Sequence, residues 1–312
     1  MAITIRALDD KDIDAAERLR RLAFGTMAGL PDPLTFRGDA ALLPARRWAY
    51  PDGALLAEED GEIVGAAMAN RWGSLGIFGP IVVHPARWRQ SIARQLLAAT
   101  MPTFERWGCR MVGLFTFPES PAHIRLYQTA GFWPRSLTAI MARRVAAASA
   151  VPGTMALTEQ AAARRALIAQ CAEVTNAIFA GLDLTHEIEM VVVHALGDVI
   201  LVTEGSRVAG FAICHAGARS EAGTGQAYIK FAAIRPGLDG AKSLRRLIDA
   251  CNEFAHRRGA TELTAGVNLG RMSAYRLMLD LGFRTTRQGV AMHRPWIEAY
   301  DRPDIFALDD WR

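Results

Sequence analysis

Long apolar runs are missing from this 312-residue chain. Its richest stretch, Met190 to Thr203, is broken by His194, Gly197 and Asp198. A bilayer-spanning helix needs about 20 apolar residues in a row, so no membrane span is expected. Cysteine is scarce: Cys109, Cys171, Cys214 and Cys251 form no C-x-x-C pair. That spacing argues against a zinc site and for free thiols in a reducing cytoplasm. His186-Glu187 opens like a zinc-protease motif, but the next histidine, His194, is out of i,i+4 register, and no metal is expected. The opening MAITIRALDD has neither the basic flank nor the apolar centre of a signal peptide. Blocks of like charge are also missing. The 36 basic and 32 acidic residues leave a net +4, and the arginines lie in scattered pairs such as Arg164-Arg165 and Arg245-Arg246. Such pairs read as solvated helix faces rather than a nucleic-acid stripe. A mild basic excess suits an anionic small ligand.

The composition that remains, 51% hydrophobic and 22% charged, is enough for one or two sizeable cores. Internal similarity decides between them. Leu55–Asn70 and Ile200–His215 align without a gap, each reading as strand, acidic turn, strand, with Gly65 and Gly210 offset by 145. Further on, Pro85 and Pro236, and Gly131-Phe132 and Gly282-Phe283, are offset by 151; about six extra residues around Glu221–Ala227 account for the change. Two tandem copies are therefore expected, over 1–145 and 157–312. The linker between them, 146–156, carries the small residues and Pro-Gly of Ala146–Gly153.

One copy reads as follows. A strand at Thr4–Arg6 leads to a helix over Lys11–Phe24, then a Pro-rich irregular stretch, Gly25–Gly53. A hairpin follows, turned at Asp60-Gly61, then a strand at Ser74–Val83. A helix over Arg87–Trp107, kinked or shortened at Pro102, is closed by Gly108. Met111–Phe117 is a strand, Ala122–Ala130 a short helix and Phe132–Arg143 the last strand. In the second copy Leu244, Leu247, Ile248, Cys251, Phe254 and Ala255 form one apolar helix stripe.

The run Gly79-PIVVHPARWRQSIARQLL places a strand, a short loop and a helix N-terminus in series, an arrangement that can cradle phosphate. Tyr127 lies five residues before Phe132 of Gly131-Phe132. With the element order, these features resemble the GNAT acyltransferase superfamily, well over residues 3–145 and more loosely over 155–295. The resemblance implies an α+β fold of two tandem GNAT-like domains, each a mixed, mostly antiparallel twisted sheet flanked by helices. It implies acetyl-CoA, or another acyl-CoA, as co-substrate and a small-molecule amine as acceptor; a homodimer is left open. The superfamily's pyrophosphate loop, R/Q-x-x-G-x-G/A, falls on Trp88, Arg89, Gln90, Ser91, Ile92 and Ala93, with Ser91 in place of the first glycine. Ile81, Val82 and Val83 would carry the backbone that meets the pantetheine arm and thioester, and Ser120 is a further cofactor contact. Tyr127 would protonate the leaving thiolate. The acidic residue usual on the central strand is missing from Ser74–Val83, so His84, His123 and Glu119 are the candidate bases. His123, one helical turn before Tyr127, is chosen as its catalytic partner.

In the second copy the loop register falls on Asp239–Leu244, where Lys242 and Leu244 take the glycine positions and Asp239 would repel pyrophosphate. Met278 replaces the tyrosine, although Tyr275 keeps a seven-residue spacing from Asn268. The leading expectation is an N-acyltransferase active in its first copy. The alternatives are a non-catalytic acyl-CoA-binding module, or an active site around Asn268 and Tyr275. Arg46, Arg47, Trp48 and Tyr50 read as a surface loop, with contact to a carboxylate or planar group as the other option. Trp296–Trp311 would cover an edge strand or meet a partner.

Overall fold

The computed structural model describes residues 3–312. In the first half, β1 (Thr4–Ala7) leads to α1 (Ile13–Met27) and α2 (Leu43–Ala49), then to β2 (Ala54–Glu59), β3 (Glu62–Trp72) and β4 (Leu75–Val83). After these come α3 (Ile92–Arg106), β5 (Met111–Thr116), α4 (Pro121–Gln128) and β6 (Trp133–Arg144). The second half opens with β7 (Thr154–Ala156), α5 (Arg164–Ile178), α6 (Thr185–Val193), β8 (Gly197–Glu204), β9 (Arg207–Gly217) and β10 (Gly223–Ile234). It closes with α7 (Gly240–Arg257), β11 (Glu262–Asn268), α8 (Met272–Asp280), β12 (Arg284–Arg294) and the short β13 (Ala307–Leu308). The fold is α+β, with a mostly antiparallel sheet flanked by helices.

Local chemistry explains most of these elements. Asp60 and Gly61 both take positive φ, 51° and 85°, which is what a two-residue hairpin turn between twisted strands needs. Gly108 and Gly259 end α3 and α7 in the left-handed region. The α7 stripe is buried along its whole length, from Leu244 to Ala255. Two expectations change. Gly25–Gly53 is not irregular throughout, because Leu43–Ala49 forms α2 with a proline in its first turn, where a missing N–H costs nothing. Pro102 does not shorten α3, which runs on to Arg106. The carbonyl that loses its N–H partner belongs to Ala98, on the exposed face of the helix, open to solvent.

All the strands join one sheet, in the order β1-β2-β3-β4-β5-β12-β6-β11-β10-β9-β8-β7, with β13 beside β10. The last strands of the two copies are thus exchanged. β12 pairs with β5 through Val290–Thr116 to Arg294–Val112, while β6 pairs with β11 through Glu262–Arg144 to Asn268–Thr138. β6 and β12 also pair with each other. The halves share a core as well: Trp72, Leu75, Ile77 and Met111 pack with Val199, Phe211 and Phe231. At its edge Lys230 pairs with Glu187 at 2.8 Å and Glu221 at 2.6 Å, and Arg46 approaches Glu221 at 3.5 Å, all buried. Arg46 and Tyr50 are therefore interior residues rather than a surface loop, and Trp48 stacks on His194. The four cysteines are free. Among the described residues no helix is long and apolar enough to cross a membrane.

Candidate active site

The site begins where β4 and β5 part. They pair in parallel only at Leu75–Met111, Gly76–Val112 and Ile77–Gly113 and then diverge. One extra residue in β4, between the Ala69–Phe78 and Ala67–Ile81 pairs with β3, makes a bulge at Gly79-Pro80 that bends the strand away. Arg46 Nη1 donates to the Gly79 carbonyl at 2.7 Å and pins the bend. Past it, His84 N–H donates to Val64 at 2.8 Å, so strand alternation turns Val82 toward β3 and Val83 into the opening. The Val83 carbonyl takes the Trp88 indole N–H at 2.8 Å, which leaves the Val83 N–H facing the V as a donor.

The loop beyond β4 meets the α3 N-terminus. Arg89 and Ser91 both have positive φ, 67° and 63°, so Ser91 holds the backbone shape for which glycine is better suited. The first N–H groups of α3, at Ile92, Ala93 and Arg94, have no partner within the helix, and the helix dipole adds partial positive charge there. Exposed Arg89, Gln90 and Arg94 surround them. This cradle can hold a pyrophosphate. Ser120 instead caps α4, its Oγ accepting from His123 N–H at 3.4 Å. His84 Nδ1 accepts from Ala86 N–H at 3.2 Å, and Glu119 is exposed.

Tyr127 and His123 lie one turn apart on α4 and line a cavity of about 730 Å³ together with Val82, Val83, Trp88 and Ala93. Tyr127 is buried against Phe78 and Phe132. Burial pushes its hydroxyl up to about 12, against the opposing effect of a hydrogen bond with Thr116. The hydroxyl is therefore a proton donor at any ordinary pH. Burial lowers the pKa of His123, with Glu119 opposing, and its buried Nδ1 has no partner. A neutral imidazole of this kind can accept a proton.

Sequence reasoning missed the far end of the cavity. Its walls come from both halves: Arg20, Phe36 and Arg37 on one side, and Glu221, Gly223, Thr224, Tyr228, Trp311 and Arg312 on the other. The insertion around Glu221–Ala227 was the available signal, because it is the place where the second copy departs from the first.

Residues 25–132 match the Acetyltransferase (GNAT) family. No curated protein matches the chain in sequence. Solved structures share the fold over nearly the whole length. One from Pyrococcus horikoshii, assigned as an acetyltransferase, is 14% identical with a TM-score of 0.72, covering 99% of this chain and 95% of its own. A GCN5-related N-acetyltransferase from Sphaerobacter thermophilus is 19% identical with a TM-score of 0.61, covering 96% and 98%. A tandem GNAT protein from the clavulanic acid biosynthesis pathway is 13% identical with a TM-score of 0.60, covering 94% and 98%. A GNAT-superfamily domain is thus matched within the first half, and the chain as a whole shares the fold of the tandem GNAT structure. That superfamily is one of acetyltransferases, and acyl-CoA-dependent acetyl transfer is its general activity.

The second copy repeats the V but fills it. β10 and β11 pair from Gln226–Glu262 to Ile229–Ala265 and then part, at a bulge around Lys230. Into the gap runs β13, antiparallel to Ala232 and Ala233, with Ile234 N–H donating to the Phe306 carbonyl at 2.9 Å. The Phe306 ring lies 2.2 Å from where a Cβ on Gly240 would be, at the first turn of α7. Asp239 caps that turn, accepting from Lys242 N–H at 3.0 Å. The 296–312 segment therefore covers not an edge strand but the cleft of its own second copy. Asn268 Oδ1 is engaged by Gly270 N–H at 2.8 Å, and Tyr275 packs partly into the core.

Proposed function

We propose that the protein is an acetyl-CoA-dependent N-acetyltransferase for a small amine, with 1–145 as the working domain and 157–312 as its support, joined by 146–156. The observation that carries the reading is the inequality of the two clefts. The first brings the V, the α3 cradle, Tyr127 and His123 onto one cavity. The second is filled by β13 and Phe306.

Residues Trp88 to Ala93 hold the pyrophosphate, and the Val83 N–H donates to the thioester oxygen, where charge grows as the carbonyl is attacked. The amine nitrogen bonds to the carbonyl carbon and the carbon–sulfur bond breaks. His123 takes the proton that the nitrogen loses, and Tyr127 supplies one to the departing sulfur. A hydroxyl near 12 facing a thiol near 8.5 makes full transfer uphill by about 5 kcal/mol in the empty site. Tyr127 thus acts first as a hydrogen-bond donor to the developing thiolate. General acid–base groups contribute about 10²–10⁴-fold, so Tyr127→Phe lowers kcat for thiol release by about a hundredfold with acetyl-CoA affinity unchanged. Unchanged turnover contradicts the assignment. The missing acid on β4 favours a second reading, a binding module, which predicts acetyl-CoA binding without thiol release for any amine.

A further inference from the structure

Most charged side chains at the far end of the cavity are compensated; among the described residues Arg37 and Glu262 form no ion pair, and Arg287, which also lines the cavity, has only the Phe117 ring. Arg20 pairs with Glu17 at 2.5 Å, and Arg312 pairs with Asp310 at 3.0 Å while stacking 4.4 Å over Tyr228. Asp39 accepts from Thr224 N–H at 2.8 Å and from its hydroxyl at 2.6 Å. Glu221 is held between Lys230 and Arg46. Arg37 forms no ion pair among the described residues; its one polar contact is Nη2 donating to the Glu221 main-chain oxygen at 3.2 Å. Arg37 is exposed to solvent and forms part of the cavity wall.

A guanidinium carries five N–H donors in a planar fork that matches a carboxylate with two parallel bonds. Arg37 has spent one. Desolvation, with Arg312 and Arg20 adding like charge, presses its pKa down to about 10, so the group stays cationic at neutral pH. Nearby walls are apolar: Ala23, Phe24, Met27 and Phe36. An acyl-CoA arm in the β4/β5 V leaves this end for the acceptor.

We propose that Arg37 is a specificity-determining residue that pairs with a carboxylate on the acceptor, so that the substrate class is an amine with an apolar body and one acidic group. The inference rests on the N-acetyltransferase reading of this cavity proposed above. Beside the carboxylates of Asp39, Glu221 and Glu262, the Arg37 guanidinium suits a single negative charge and disfavours a dianion.

The test uses the full chain with CoA and has two arms. In the binding arm, calorimetry compares phenylpropanoate, phenylpropanol and phenylphosphonate. Charge-assisted bonds to the Arg37 guanidinium predict that the carboxylate binds about tenfold tighter than the alcohol, and tighter than the phosphonate. Arg37→Met abolishes the preference, and Arg37→Lys keeps part of it. Unchanged CoA affinity in both variants shows that they are folded. Equal or undetectable binding of acid and alcohol, or a preference that survives Arg37→Met, overturns the proposal. In the turnover arm, phenylalanine is acetylated in preference to phenethylamine. Carboxylate binding without thiol release from any amine retires the catalytic reading and leaves the subsite standing. Turnover without a carboxylate preference does the reverse.

Discussion

Asp309 grips the Arg271 guanidinium through both carboxylate oxygens, Nη1 to Oδ2 at 2.8 Å and Nη2 to Oδ1 at 3.1 Å, with both side chains buried. Tyr300 adds its hydroxyl to Oδ2 at 3.0 Å. This pair fixes the 296–312 segment in the second cleft, directly after β13. Removing one partner of a buried pair leaves a charge unanswered and costs about 3–5 kcal/mol. Asp309→Ala is therefore expected to lower urea stability by that amount and to open the segment to protease. Asp309→Leu with Arg271→Met recovers much of the loss. A variant as stable as the parent would mean that the segment is held elsewhere.

His215 makes stability depend on pH. It is buried beside Glu221, and burial pushes its imidazole down to about 4 despite that carboxylate. Between the ordinary value near 6.5 and 4, the unfolded chain takes up a proton that the folded chain does not. Stability therefore falls as pH drops through this window, by at most about 3 kcal/mol. Glu187 and Glu221, lowered by Lys230, contribute in the same direction, but only once pH falls below the ordinary carboxylate range. The signature of His215 is thus a slope of the urea midpoint between pH 6.5 and 5, flattened in His215→Gln. A midpoint that is level over this range contradicts the burial argument.

Ser91 carries the strain of the phosphate loop. A side chain at φ 63° costs about 1–2 kcal/mol that glycine avoids, partly offset by glycine's greater freedom when unfolded. Ser91→Gly is expected to raise stability by about 0.5–1 kcal/mol with acetyl-CoA affinity retained. A lower melting temperature would show that the serine hydroxyl does something this backbone account omits.

What could be read in advance was local or periodic. The Asp60-Gly61 turn, the α7 stripe and the repeat itself are written in neighbouring residues, and each has its counterpart in the structure. The α2 helix was hidden because Pro44 reads as a breaker unless its place in the first turn is known. The exchange of β6 and β12 was hidden for a different reason. Both strands follow a short helix and a Gly-Phe step, so nothing local tells either one which sheet to join. Contacts such as Arg46 with Glu221, 175 residues apart, have no signature in composition or spacing. The far wall of the cavity, including Arg37 and Glu221, is built from contacts of that kind. Tyr127 and the α3 loop were legible because a strand, a loop and a helix in sequence stay together in space.

The central claim is that one cleft of the two serves acyl-CoA. Calorimetric titration of the full chain with acetyl-CoA tests it most directly, run alongside Ser91→Glu, which puts a carboxylate before α3 much as Asp239 stands before α7. The account predicts about one equivalent bound per chain, lost in Ser91→Glu because a fixed anion at the helix N-terminus competes with the pyrophosphate. Two equivalents, or one that survives Ser91→Glu undiminished, would contradict it.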